Sequence, residues 1–276
     1  MTEEEPGPRG DALVRDILRG IAAQAPLVHC LTNIVVAGFT ANVLLAIGAS
    51  PAMVENTEEA APFAAMAGAV LVNLGTLSSE RARAMRLAAA SARDHQVRWV
   101  LDPVAVGALA HRTVLAVELL EARPAVIRGN GSEIQALAAA GGLAPDGRRG
   151  RGVDSLASSD DALDAARALA SDRSCVVAVS GATDYITDGV RTVAIGGGHP
   201  LMTRVTGMGC ALGAVMAAAV AVEEDSLTAV GGASATFATA GEQAAAGIAG
   251  PGSFAVAFLD RLASLAGEAA GPRAGP

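Results

Sequence analysis

Lysine is missing altogether: of the 276 residues twenty are basic, and every one of them is arginine. That excludes a phosphate-binding loop built on a lysine and catalysis through a Schiff base, both of which need a primary amine. Cysteine is nearly as scarce. Cys30, Cys175 and Cys210 form no CxxC pair and leave an odd count, so a disulfide framework is not expected. The four histidines, His29, His95, His111 and His199, show no HExxH spacing, which argues against a zinc site. Basic clusters are absent beyond Arg148, Arg149 and Arg151, a stretch set among glycines that reads as a solvated loop. With a net charge of −8, nucleic acid is not an expected partner. The apolar run 211–222 falls short of the roughly 20 residues needed to span a bilayer, so no membrane partner is expected. The acidic, Pro/Gly-rich first ten residues lack the basic and apolar regions of a signal peptide, and the expected location is cytoplasmic.

Aromatic residues make up only 3% and charged residues 17%, the latter below the usual quarter or so. In their place stand small apolar side chains, within a hydrophobic total of 51%, which let helices approach a sheet closely. The low charge hints that another subunit covers part of the surface, although alanine enrichment alone has the same effect.

Apolar strand-like runs alternate with helical patterns along the chain. Residues 11–24 place Leu13, Val14, Ile17, Leu18 and Ile21 on one helical face, and Pro26 then opens a strand over 27–31. A helix is predicted over 36–47, closed by Gly48. The runs 69–72, 97–101, 125–127 and 175–179 read as parallel strands covered on both faces, with a helix over 79–95 between the first two. Ser158 and Asp161 have the spacing of a capping box for a helix reaching Ala170. Residues 185–187 and 191–193, joined through Asp188-Gly189, read as an edge hairpin. After Gly196-Gly197-Gly198 the chain turns almost wholly helical: to Val222, then 226–248, then 253–265. The expectation is a single α/β domain over residues 11–266, its mainly parallel sheet covered by helices on both faces, with disordered tails at 1–10 and 267–276.

In open α/β sheets ligands bind beyond the carboxyl ends of the strands. His29, Thr32 and Asn33 follow the first strand; Asn73, Gly75 and Thr76, Asp102, Arg128 to Glu133, and Ser180 follow later ones. The stretch Val205-Thr206-Gly207-Met208-Gly209-Cys210 adds a glycine-paired loop running into a helix, suited to an anion because free N–H groups and the helix dipole point the same way. The same stretch also reads as a plain helix start with a small buried cysteine. Asp102 and Glu133 are the carboxylates best placed for Mg²⁺, which takes one or two carboxylates plus phosphate oxygens and water. Asp102 reads equally as a turn cap and Glu133 as a first-turn helix acid. Arg128 offers a fork for phosphate or a structural ion pair.

Taken together, Pro26-Leu27-Val28-His29 with Leu31-Thr32-Asn33, Gly48-Ala49-Ser50-Pro51 with Met53, Asn73 with Gly75-Thr76-Leu77-Ser78, and Asp102-Pro103-Val104 resemble the hydroxyethylthiazole kinases of thiamine salvage. So do Ile127-Arg128-Gly129-Asn130 with Glu133-Ile134, Gly152 to Ser155, Gly198-His199-Pro200-Leu201, Val205 to Leu212 and Gly250 to Phe254. The resemblance implies a ribokinase-like fold and transfer of the ATP γ-phosphoryl to the hydroxyl of 5-(2-hydroxyethyl)-4-methylthiazole. It also implies a homotrimer with interface active sites. It assigns Met53, Asn33 and Gly207 to the thiazole, Arg128, Ser180 and Thr206 to ATP, and Asp102 and Glu133 to Mg²⁺. Gly207, Met208, Gly209 and Cys210 are assigned to the transferring phosphoryl. Cys210 stands where related kinases carry an Asp base. A thiol is a weaker acceptor near neutral pH unless its pKa is lowered, which a helix N-terminus can do. Cys210 is therefore given a supporting role, in which it orients the substrate hydroxyl or accepts its proton. Three positions depart from the family pattern: Ala105 replaces a glycine, His111 a phenylalanine, and Met208 a small residue or threonine. Met208 either narrows the phosphate loop or points into the core. Other readings are a kinase for hydroxymethylpyrimidine, a related ATP-dependent dehydratase, or a catalytically silent trimer that senses thiazole.

Overall fold

The apolar runs of the sequence become one sheet. The computed structural model describes residues 8–143 and 159–271. Its strands are β1 (Leu27–Leu31), β2 (Ser50–Ala52), β3 (Ala69–Asn73), β4 (Trp99–Asp102), β5 (Val126–Asn130), β6 (Val176–Ser180), β7 (Asp184–Thr187) and β8 (Thr192–Ile195). They lie in the order β2-β1-β3-β4-β5-β6-β7-β8, parallel from β2 to β6 and closed by the antiparallel β7–β8 hairpin.

Alternation along each strand sends side chains to two cores, as the pleat requires. Ala69 and Leu71 face one core, while Val70 and Val72 face the other. The first core is covered by α1 (Pro8–Gln24), α2 (Ala37–Ala46), α8 (Met208–Val222), α9 (Ser226–Ala244) and α10 (Pro251–Ala270). The second is covered by α3 (Ala60–Met66), α4 (Ser79–Asp94), α5 (Ala110–Leu120), α6 (Gly131–Ala140) and α7 (Leu163–Arg173). Each fully buried Leu, Val or Phe contributes about 1.5–3 kcal/mol. Such contacts are dense around α8, where eleven of fifteen residues are buried.

The elements depart from the sequence expectations at several ends. The first helix starts at Pro8, inside the expected tail, because proline's fixed φ suits a first helical turn. The last helix continues to Ala270, past its expected end at 265, because Leu265, Ala266 and Ala269 keep its apolar face buried. β4 begins only at Trp99; Arg98 before it turns its guanidinium onto the carbonyls of Glu223 and Glu224 beyond α8. The helix expected from the Ser158 cap starts at Leu163 instead, after Ala162. Its neighbour Ser159 is buried and donates to the Thr183 carbonyl at 2.8 Å. Ser158 itself, the 148–151 arginines and the Gly152–Ser155 motif lie outside the described residues.

Candidate active site

The site is built at the start of α8, against the carboxyl ends of β1, β3, β4, β5 and β6. Gly207 precedes the helix with φ +93°, a conformation that strains any residue with a Cβ. A Cβ there would also lie 2.7 Å from Val36 Cγ1. One step on, a Cβ at Gly209 would stand 2.6 Å from Arg128 Nη2. Gly207 therefore lets the chain pass Val36, and Gly209 lets Arg128 lie against the first turn of α8, whose leading N–H groups lack helical acceptors.

From that turn a chain of side-chain hydrogen bonds crosses the strand ends. Asn33 Nδ2 donates to Asn73 Oδ1 at 3.0 Å and reaches Cys210 Sγ at 3.4 Å. Asn73 Nδ2 in turn donates to Asp102 Oδ2 at 2.5 Å. The other oxygen of Asp102 is buried with no hydrogen-bond partner and faces Arg128 Nη1 at 3.8 Å. Arg128 donates through Nε and Nη2 to Ser180 Oγ, at 3.2 and 3.0 Å. Asn33, Asp102, Arg128, Ser180 and Cys210 are thus brought together, linked by Asn73. Asn73 had no role assigned from sequence, because a polar strand-end residue is unremarkable until the strands are ordered.

Burial sets the electrostatics. Asp102 is fully buried, and loss of hydration pushes its pKa up to about 7; Arg128 opposes the rise and Glu133 adds to it. Desolvation also raises the Cys210 thiol, and the nearby Asp102 raises it further, outweighing the hydrogen bonds from Asn73 and Asn33. The helix N-terminus does not lower the thiol here, and Cys210 is a thiol, not a thiolate, at neutral pH.

Glu133 closes a capping box on α6: its Oε2 accepts from the Asn130 amide at 2.9 Å, while Asn130 Oδ1 accepts from the Glu133 amide. Its Oε1 accepts from the Ala105 amide at 2.9 Å. Ala105, the departure from glycine, holds φ +62°, so a methyl group occupies a backbone conformation that favours glycine. Among the described residues no group of three or more His, Cys, Asp and Glu side chains gathers as a metal cage. Asp102 and Glu133 instead make a two-carboxylate edge, with one Asp102 oxygen unpartnered.

Beside Arg128 and Ser180 opens a cavity of 720 Å³ that runs under the 197–205 segment to α9. Its walls are mainly apolar, including Leu212, Phe237, Met202 and Ile195, with Asp184 and Ser234 among the polar groups. Apart from Leu212, which ends the Val205–Leu212 motif, none of these wall residues was singled out from sequence, since apolar residues on helices and strands look like ordinary core. Of the two alternatives left open for it, Met208 takes the second: it is buried in the core, and it also forms part of this wall.

The remaining candidates lie around this centre. Thr206 is exposed at the loop before Gly207. Met53 follows β2 at the sheet edge and is half-buried against the core, one strand away from Asn33. His29 faces the interior: its Nε2 meets the Val54 carbonyl at 2.7 Å, its ring packs edge-on to Phe63, and burial lowers its pKa. Thr32 is buried with its hydroxyl unpartnered, and Thr76 Oγ1 accepts from the Ile34 amide.

Residues 18–268 match the model of the hydroxyethylthiazole kinase family. Among curated relatives, a hydroxyethylthiazole kinase of Leptospira interrogans is 53% identical over 251 residues, covering 91% of this chain and 92% of its own. The solved hydroxyethylthiazole kinase protein of Pyrococcus horikoshii superposes with a TM-score of 0.82 at 38% identity, covering 92% of this chain and 93% of its own. A ribokinase-like superfamily protein of Enterococcus faecalis is only 12% identical, yet superposes with a TM-score of 0.64 over 95% of this chain and 99% of its own. The fold is therefore ribokinase-like.

Proposed function

The chain belongs to the hydroxyethylthiazole kinase family and is a kinase that phosphorylates hydroxyethylthiazole with ATP in thiamine salvage; from that premise we propose how the cleft at α8 carries out the transfer. The observation that carries the proposal is the hydrogen-bonded chain Cys210–Asn33–Asn73–Asp102, ending beside Arg128 and a cavity of nucleotide size.

ATP lies in the 720 Å³ cavity, its base against the apolar wall and its phosphates turned toward Arg128, Ser180 and Thr206. The thiazole lies on the other side of α8's first turn, against Asn33, Gly207 and Met53. Its hydroxyl points at the γ-phosphorus near Cys210. The oxygen attacks as the bond to the β-γ bridging oxygen breaks, and its proton passes to a non-bridging oxygen of the transferred phosphoryl, giving the phosphate ester and ADP. Backbone N–H groups at residues 207–210 hold the transferring phosphoryl, with Arg128 supplying positive charge. Such transfers pass through a loose transition state, so positioning and charge neutralisation outweigh the need for a strong base. A protonated Cys210 meets that demand by orienting the hydroxyl.

Mg²⁺ suits the carboxylate edge: one oxygen of buried Asp102 has no hydrogen-bond partner, and both Glu133 oxygens already accept amide hydrogens, leaving lone pairs for metal-bound water. When bound, the ion neutralises charge on the ATP phosphates. The open edge at β2, next to Met53, and the exposed Ile34 and Val35 support a homotrimer in which a neighbouring chain completes the thiazole pocket. No helix among the described residues is long and apolar enough to cross a membrane.

The test is ADP release with Mg²⁺ and hydroxyethylthiazole, beside hydroxymethylpyrimidine and an alcohol-free blank. Stimulation by the thiazole alcohol alone is expected. Stimulation by the pyrimidine instead, or thiazole binding without turnover, would overturn the proposal.

A further inference from the structure

Arg81 occupies an unfavourable place for a cation. It is the third residue of α4, where the helix dipole repels positive charge, and its side chain is only 11% exposed. Its Nε is buried with no partner, so this is not an arrangement optimised for stability alone. The rest of the guanidinium is engaged. Nη2 donates to the carbonyl of Thr32 and to Glu55 Oε1, the latter at 2.7 Å.

Those acceptors belong to two different loops. Thr32 immediately precedes Asn33 after β1, and Glu55 stands two residues beyond Met53 after β2. The β1–β2 ladder ends at His29 opposite Ala52, so beyond it the two loops have no sheet pairing to hold them together. The His29–Val54 contact and Arg81 are cross-links at that point: His29 also packs on Phe63 of α3, and Arg81 ties both loops to α4. A charged, planar donor binding a carbonyl and a carboxylate at once fixes their separation more firmly than a flexible amine would.

We propose that Arg81, with Glu55 as its counter-ion, is a positioning residue for the acceptor: it sets the spacing between the Asn33 and Met53 segments and so presents the alcohol to the start of α8. This rests on the reading of Asn33 and Met53 as thiazole contacts. Arg81 does not line the nucleotide cavity, so its effect falls on the acceptor side.

The experiment is a two-substrate kinetic comparison of Arg81→Gln, Arg81→Lys, Glu55→Gln and Met53→Ala. Arg81→Gln and Glu55→Gln should raise KM for the thiazole alcohol about tenfold, as loss of positioning does. KM for ATP should stay within about twofold, because uniform effects on both substrates mark a different defect. Arg81→Lys should recover part of the loss. An equal rise in both KM values, a fall in kcat with both KM values unchanged, or no advantage of Lys over Gln would overturn the proposal. Should Arg81→Gln fail to fold, the half-exposed Glu55→Gln carries the same comparison. Met53→Ala separates the two layers of the argument. If it raises the thiazole KM while the Arg81 and Glu55 variants do not, the clamp is wrong and the pocket stands. If it leaves that KM unchanged, the pocket reading fails and the clamp with it.

Discussion

Cys210 sits at the most telling position in the site and carries the least reactive form of its side chain there. Because burial and Asp102 hold the thiol protonated, turnover should not depend on a thiolate. Cys210→Ser is expected to keep kcat within about threefold, whereas removing a true general base costs about 10²-fold or more. Cys210→Asp should keep or raise turnover; its collapse in a folded variant, with Cys210→Ser active, would refute the orienting role. Asp102 gives a pH signature. Its folded pKa near 7 lies above the ordinary carboxylate value, so its contribution to stability is complete below about pH 4 and is lost as pH rises toward 7. In metal-free buffer, denaturant unfolding should weaken across that window by up to about 1.4 kcal/mol per pH unit relative to Asp102→Asn; parallel curves for the two proteins would contradict this. At Ala105 the strain can be relieved: Ala105→Gly should stabilise the fold by roughly 0–1 kcal/mol, the left-handed cost removed less the entropy glycine adds to the unfolded chain. Most of these residues were legible one by one. Asn73 was not, because its importance comes from the order of β1, β3 and β4, which places it between Asn33 and Asp102 and which no local pattern encodes.

Strands β1 and β3 to β6 could be read as elements because their apolar runs are short, β-branched and bounded by turn residues. The β7–β8 hairpin announced itself through Asp188-Gly189. β2 escaped because three residues containing Pro51 carry no period, and proline is tolerated only at such an edge. The starts of α1 and α7 were misjudged for related reasons: proline inside a helix start looks like coil, and a serine that looked available for capping lay next to one used elsewhere. α8 is the element on which function turns, and its entry is the sensitive point. Gly207→Ala meets both an unfavourable φ and the Val36 side chain, so a loss of about 2 kcal/mol or more in stability is expected by denaturant titration. Gly209→Ala should differ in kind. The helix tolerates alanine there, but the Arg128 guanidinium must move, so the fold should persist while KM for ATP rises and turnover falls. An unchanged ATP response would mean that Arg128 does not serve the nucleotide where proposed.

At the scale of the molecule, the two edges of the sheet differ. One ends in the β7–β8 hairpin; the other ends at the short β2, near the exposed Ile34 and Val35, 72% and 62% accessible on an isolated chain. Sedimentation should give three times the 27.3 kDa chain mass, and Ile34→Glu should dissociate the assembly while raising the thiazole KM. A monomeric native protein with full activity would rule out shared pockets. The fold class was plain in the alternation of runs and helices, whereas assembly came from the family resemblance, with only a low charge content that alanine also produces to support it. One last consequence belongs to α8. Past its first turn it is enclosed on nearly every side, so the hydrogen exchange of those amides should follow global unfolding. The helix behind the anion-binding turn is therefore rigid before any nucleotide arrives. Deuterium uptake should be slow in α8 beyond its first turn with or without ATP, and binding should register in that turn and in the more open 197–205 segment instead.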